Sequence, residues 1–185
     1  SDPRSILAAT VIFAGLGIAW ANLHGSFPLA VILPVIAFAG EALDRETTLW
    51  RWLPPAAAAG MGTWWNPRGL EVWWYVFDVA GSAEARATVT EWWPTSLWAP
   101  HGLGALFWGS LAILVVVTLL NLRHRTAASD EPATETRIGA TDLLIPAAFA
   151  VLAALQRRSL LWWGLVFPWA FSLQLGVLRR RLIDT

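Results

Sequence analysis

The chain has 185 residues, of which 56% are hydrophobic and only 14% charged. Soluble domains carry about 25% charged residues, and here the charges fall between apolar runs, which excludes an ordinary water-soluble globule and points to a membrane. Thirteen arginines balance thirteen acidic residues, there is no lysine, and there is no cysteine. This balance gives no reason to expect a nucleic-acid partner, and neither a disulfide framework nor a thiolate metal site can form.

The opening, Ser1-Asp2-Pro3-Arg4, lacks an initiator methionine, and the first apolar run has no signal-type cleavage site. The expectation is a fragment of a longer polytopic protein, with a processed or trimmed chain as the alternative. A span needs about 20 apolar residues to cross a hydrocarbon core of about 30 Å. Ile6 to Leu23 is the first candidate, and Asn22-Leu23-His24-Gly25 closes it. Phe27 to Leu43 is the second, with Pro34 expected to kink it, followed by a charged turn from Glu41 to Glu46. Thr47 to Trp65 is the third and least regular. It has a Trp50-Arg51-Trp52 collar, Pro54-Pro55, and small residues, Ala56 to Ala59, Gly60 and Gly62, that would let neighbouring helices approach closely.

Residues 66 to 101 cannot be a span and form a tryptophan-rich segment. Leu70, Trp73, Trp74 and Phe77 repeat at helical spacing while Glu71, Tyr75 and Asp78 lie off that stripe, which predicts an amphipathic helix in the membrane interface. Val89 to Pro100 reads as a tryptophan-rich loop. Leu103 to Leu122 is the clearest span and stops at Arg123-His124-Arg125. Thr126 to Thr136 is a polar loop, and 138–155 is a short fifth span. Gln156-Arg157-Arg158-Ser159 interrupts, and 159–178 is the sixth span, ending at Arg179-Arg180-Arg181. The expected fold is therefore all-α: a single polytopic transmembrane bundle over 1–185, with about six spans and one interfacial helix.

With six spans, Arg4, Arg45, Arg51, Arg123, Arg125, Arg137, Arg179, Arg180 and Arg181 share one side, and Arg68, Arg86, Arg157 and Arg158 the other. The positive-inside rule makes the richer side cytoplasmic, so both termini face the cytoplasm and 66–101 faces outward. Arg157 and Arg158, in a tight turn on the outer side, need a partner: Glu71, Asp78, Glu91 or a bound phosphate, whose oxygens the guanidinium fork fits.

Asn22 and His24 could bind a sugar or phosphate, or simply cap a helix. Asn66-Pro67-Arg68-Gly69 reads as a helix stop and turn that leaves only Arg68 unexplained. Glu91 precedes Trp92-Trp93-Pro94. Desolvation among indole rings favours a neutral carboxyl group, which makes Glu91 a candidate acid or base. An ion pair with Arg157 or Arg158 is the alternative. His24, His101 and His124 lack metal-ligand spacing, so the residues support no metal site. No carboxylate lies mid-span, which argues against ion-coupled transport.

Four segments occur in order: Trp20-Ala21-Asn22-Leu23-His24-Gly25-Ser26-Phe27, Asn66-Pro67-Arg68-Gly69, Thr90-Glu91-Trp92, and Arg157-Arg158-Ser159-Leu160-Leu161-Trp162-Trp163. Together they resemble the C-terminal half of bacterial polytopic membrane proteins related to GT-C glycosyltransferases, over about residues 6 to 178. The family usually has Asn after the arginine of the fifth turn, where this chain has Arg158-Ser159. The first half of the family's fold, with its outward loop and catalytic acidic residue, has no counterpart here.

The resemblance implies a bacterial inner-membrane protein that transfers a sugar from a polyprenyl-phosphate-linked donor at the outer face, often with a divalent metal. Arg157 and Arg158 would hold the donor phosphate. Glu91, Asn22 and His24 would shape the pocket together with Asn66, Arg68 and Glu71, under a tryptophan-rich lid. The alternatives are a non-catalytic membrane subunit packed on a partner protein and a small-lipid carrier or flippase.

Overall fold

The computed structural model describes residues 2–45, 49–127 and 138–183. Glu46 and Thr47, the loop expected from Thr126 onward (beyond residue 127) and Arg137 lie outside them. Among the described residues the structure is helical and contains no strand. Contacts divide the chain into two compact units, Ser1–Ala87 and Thr88–Thr185.

The first unit begins with α1 (Pro3–Leu23), whose N-terminus is capped by the Asp2 side chain accepting from the Arg4 N–H, with Pro3 in the first turn. A proline there lacks only an N–H that would have no helical partner, so the helix starts three residues before the apolar run does. α2 (Leu29–Leu43) continues through the buried Pro34. The third apolar run is not one regular helix. A 3-10 turn over Leu49–Trp52 leads into α3 (Leu53–Gly62), which has only ten residues. At about 1.5 Å per residue α3 is about 15 Å long, half a hydrocarbon core.

The small residues of α3 are used inside this unit. A Cβ on Gly17 of α1 would sit 2.3 Å from the Ala59 carbonyl oxygen, and one on Gly62 would sit 2.5 Å from that of Ala14. The two backbones therefore touch where α1 crosses α3, and Ala58, Ala59 and Gly62 are buried. Glu41, in the last turn of α2, pairs with Arg51, whose guanidinium lies 5.5 Å from the Trp52 ring. The expected charged turn and tryptophan collar are thus one ion-paired cluster.

After α3 the chain turns through Asn66 to Gly69 into α4 (Glu71–Gly81), followed by α5 (Ala83–Thr88). α4 packs through Val72 and Trp73, whereas Leu70, Trp74 and Phe77 of the anticipated stripe are exposed.

The second unit contains α6 (Leu103–Ala127), α7 (Ala140–Leu155) and α8 (Leu160–Ile183). α8 packs against both α6 and α7. Phe107, Trp163, Phe167 and Phe171 form an aromatic run along the α6–α8 seam, and the Trp163 indole N–H donates to Ser110 Oγ at 2.9 Å. Farther along, Thr118 and Asn121 of α6 meet Gln174 of α8. The Thr118 hydroxyl lies 2.6 Å from Gln174 Oε1, and Asn121 Nδ2 donates to the Gln174 carbonyl at 2.9 Å.

Among the described residues three helices have the length and composition to cross a bilayer: Pro3–Leu23, Pro100–Arg123 and Arg157–Ile183. Leu29–Leu43 and Ala140–Leu155 are apolar but shorter. Leu7 and Val11 of α1, Leu106 and Val116 of α6, and Leu161 and Leu165 of α8 are each more than half exposed. So much outward-facing hydrocarbon suits lipid as the surrounding solvent, and the fold is that of a membrane-embedded helical protein.

Candidate functional site

The residues singled out in the sequence fall into two groups, one in each unit. In the first unit they lie where α1 and α3 end. Asn22 Nδ2 donates to Ile18 O at 2.7 Å and to Trp65 O at 2.8 Å, tying the end of α1 to the turn after α3. Asn66 does the same for its own turn. Its amide nitrogen donates to the carbonyls of Thr63 and Gly69, and its Oδ1 accepts from the Arg68 N–H at 2.8 Å. Gly69 takes φ +55°, the left-handed conformation this turn requires.

Trp73 then anchors α4 to the same end of the unit. Its indole N–H reaches Thr63 Oγ1 at 2.8 Å, and its ring meets the buried Phe27 edge-on at 5.0 Å. His24 caps α1 through its backbone, while its Nδ1 accepts from the Ser26 N–H at 3.0 Å. The neutral ring therefore carries its proton on Nε2, an assignment made from the hydrogen-bond network. Arg68 and Glu71 are exposed, and the Arg68 guanidinium lies 4.6 Å from the Tyr75 ring centre.

Most of these side chains thus hold turns together. Asn22 and Asn66 line an open depression with Trp64, Trp65 and Pro67, but their amide donors are already engaged with backbone carbonyls. The depression presents indole faces, not a converging set of free donors.

The second unit has a different arrangement. Arg157 and Arg158 stand on a 3-10 turn, Arg157–Ser159, between α7 and α8, and it packs against the 3-10 turn Thr90–Trp92. Each guanidinium has its own indole: Arg157 lies 5.5 Å from the Trp93 ring centre and Arg158 lies 5.0 Å from that of Trp92. Such cation–π contacts at partly exposed sites are each worth about 0.5–1 kcal/mol. Both arginines are half-buried. Arg157 Nε is buried with no hydrogen-bond partner. Among the described residues neither arginine forms an ion pair, and Glu91, on the facing turn, is exposed. Two adjacent guanidinium groups are thus partly withdrawn from solvent without a carboxylate partner among the described residues.

The loop carrying the two tryptophans is fixed by residues that the sequence did not mark. Thr95 is buried. Its N–H donates to Ala154 O at 2.9 Å and its hydroxyl to Ala153 O, while Trp108 Nε1 donates to the Thr95 carbonyl at 3.0 Å. The Arg157 N–H donates to the Trp93 carbonyl at 3.0 Å. A Cβ on Gly104 would lie 2.0 Å from Ser96 O, so the start of α6 sits directly against this loop. His101, exposed at φ +58°, is part of the bend that leads into α6. Nothing in the sequence distinguishes Thr95 from a solvent-facing loop threonine.

Among the described residues no three His, Asp or Glu side chains gather as a metal site would require. Comparison with protein-family models, with curated proteins and with solved structures finds no match to this chain.

Proposed function

We propose that the protein is the membrane portion of a glycosyltransferase-like system. In this reading the Arg157–Arg158 turn receives the phosphate of a polyprenyl-phosphate-linked sugar at the outer membrane face. The observation that carries the reading is the pair of half-buried guanidinium groups, each against a tryptophan and neither neutralised by a carboxylate among the described residues. Phosphate oxygens would engage the guanidinium N–H groups, and the lipid chain would remain in the bilayer. The four-segment resemblance supplies the sugar-transfer context. The arginine distribution supports about six crossings, cytoplasmic termini and an outward 66–101 segment, with the exposed Leu70–Trp74–Phe77 face of α4 lying in the interface. Glu91 is the candidate base by its place on the turn facing Arg157 and Arg158; it is exposed and not withdrawn among the indole rings as its tryptophan neighbours led one to expect.

The binding step can be tested without knowing the sugar. Protein in lipid nanodiscs is titrated with a polyprenyl phosphate, and bound lipid is counted by native mass spectrometry. Wild type is expected to bind the polyprenyl phosphate even in the presence of excess uncharged polyprenol, and Arg157→Ala or Arg158→Ala to lose most of that binding. Displacement of the phosphate by the alcohol, or unchanged phosphate binding by both variants, would refute the phosphate role.

A subunit reading rests on the small residues of the third apolar run being free for a partner. Ala58, Ala59 and Gly62 are buried within the first unit, with Gly62 against α1, which favours the lipid-phosphate reading.

A further inference from the structure

We infer that the cleft between α6 and α7, floored by α8, is a binding site for an uncharged, hydrocarbon-soluble molecule bearing one hydroxyl group. The cleft has a volume of about 410 Å³. Its walls include Leu111, Leu114 and Leu119 of α6 and Leu143, Ala147 and Ala150 of α7, and no charged side chain lines it. Its volume and largely apolar lining are those of small-molecule sites.

The polar residues lining it are Thr118 and Gln174. Gln174 is 1% exposed, yet among the described residues only one end of its amide is engaged, by the Thr118 hydroxyl at 2.6 Å. Exchanging the amide oxygen and nitrogen does not change this. Thr118 can then give its proton to Leu114 O at 2.8 Å and accept from Gln174, and the amide oxygen is left over. In either orientation one half of a buried amide faces an apolar cleft without a partner. Such a group is costly in hydrocarbon, and a ligand hydroxyl, which can donate to the amide oxygen or accept from the amide nitrogen, removes the cost in either orientation.

Position along the helix indicates the source of the ligand. Gln174 lies fourteen residues after the start of α8 at Leu160, or about 21 Å along the axis, well inside a hydrocarbon layer. Val115, Leu119 and Ala147 are exposed at the edge of the cleft, so entry is from the bilayer. A bare acyl chain would fill the space and leave the amide unsatisfied. A charged headgroup would meet no counter-charge. A neutral molecule with one hydroxyl group satisfies both conditions, and this site is separate from the arginine turn.

The test compares two photoreactive probes in nanodiscs: a long-chain alcohol carrying a diazirine, and the hydrocarbon of equal length carrying the same group. Labelled residues are mapped by mass spectrometry. The alcohol is expected to label the Leu111–Leu119 and Leu143–Ala150 segments about fivefold more than the hydrocarbon does, which is the scale of one net hydrogen bond. Gln174→Leu should abolish that preference. Ala147→Phe, which narrows the entrance but leaves Thr118 and Gln174 in place, should reduce labelling of both segments while Leu7 and Val11 on α1 label as before. Equal labelling by the two probes in wild type, or an alcohol preference that survives both substitutions, would overturn the inference.

Discussion

The two units solve the same packing problem by different means. In the first, α1 and α3 approach until backbone meets backbone at Gly17–Ala59 and Gly62–Ala14, and the polar residues at the helix ends hold the turns. In the second, α6 and α8 are joined by large aromatic rings and by the Thr118–Gln174–Asn121 hydrogen bonds, while the two arginines at the turn stay without a carboxylate partner among the described residues. A polar residue at the end of a membrane helix is therefore not by itself a sign of a binding site. What separates Arg157 and Arg158 from Asn22 and Asn66 is that the amide donors of the asparagines are already satisfied.

The contrast breaks most sharply at the helix crossing. Gly62→Leu would drive a side chain into the α1 backbone and should cost about 3 kcal/mol, read as a shift in unfolding in mixed micelles. Gly15→Ala, on the same helix as Gly17 but with nothing within 4 Å, should be neutral or slightly stabilising. Equal effects would mean that the close approach does not hold the unit together.

The arginine turn comes next. Replacing both Arg157 and Arg158 with Ala should weaken polyprenyl-phosphate binding about thirtyfold, or about 2 kcal/mol, and cost about 1–2 kcal/mol of stability through the lost contacts with Trp93 and Trp92. Thr95→Val should then cost about 1.5 kcal/mol, because it leaves the Ala153 carbonyl without its donor. It should also weaken binding modestly by loosening the loop that carries Trp92 and Trp93. The smallest effect is expected at Asn66→Ala, about 1 kcal/mol of stability with binding unchanged, measured by unfolding and by lipid titration.

Much of the fold was legible because hydrophobic runs and their punctuation are local signals. α1, α2, α6, α7 and α8 begin or end near the expected positions, where Asp2-Pro3, Gly25 and Gly139 interrupt the pattern. The third run was less legible. Its composition is apolar throughout, but Pro54-Pro55 and the glycines shorten the helix, and Thr63 and Asn66 fold Trp64 and Trp65 into a turn. At the site, the arginine pair stood out as a charge cluster on an apolar background. Its pairing with Trp92 and Trp93 depends on a long-range contact anchored by Thr95, which no local pattern encodes. Thr118, Asn121 and Gln174 lie within apolar spans and were not singled out in the sequence, because only their meeting across α6 and α8 gives them meaning.

The most direct measurement sets the two groups of polar residues side by side. The dissociation constant for a polyprenyl phosphate and the unfolding midpoint are determined for wild type, for Arg157→Ala/Arg158→Ala and for Asn22→Ala/Asn66→Ala. The account predicts that the arginine pair loses binding, with its midpoint lowered only by the two lost indole contacts, while the asparagine pair loses stability and keeps its binding. Intact phosphate binding without the arginines, or lost binding at an unchanged midpoint without the asparagines, would contradict it.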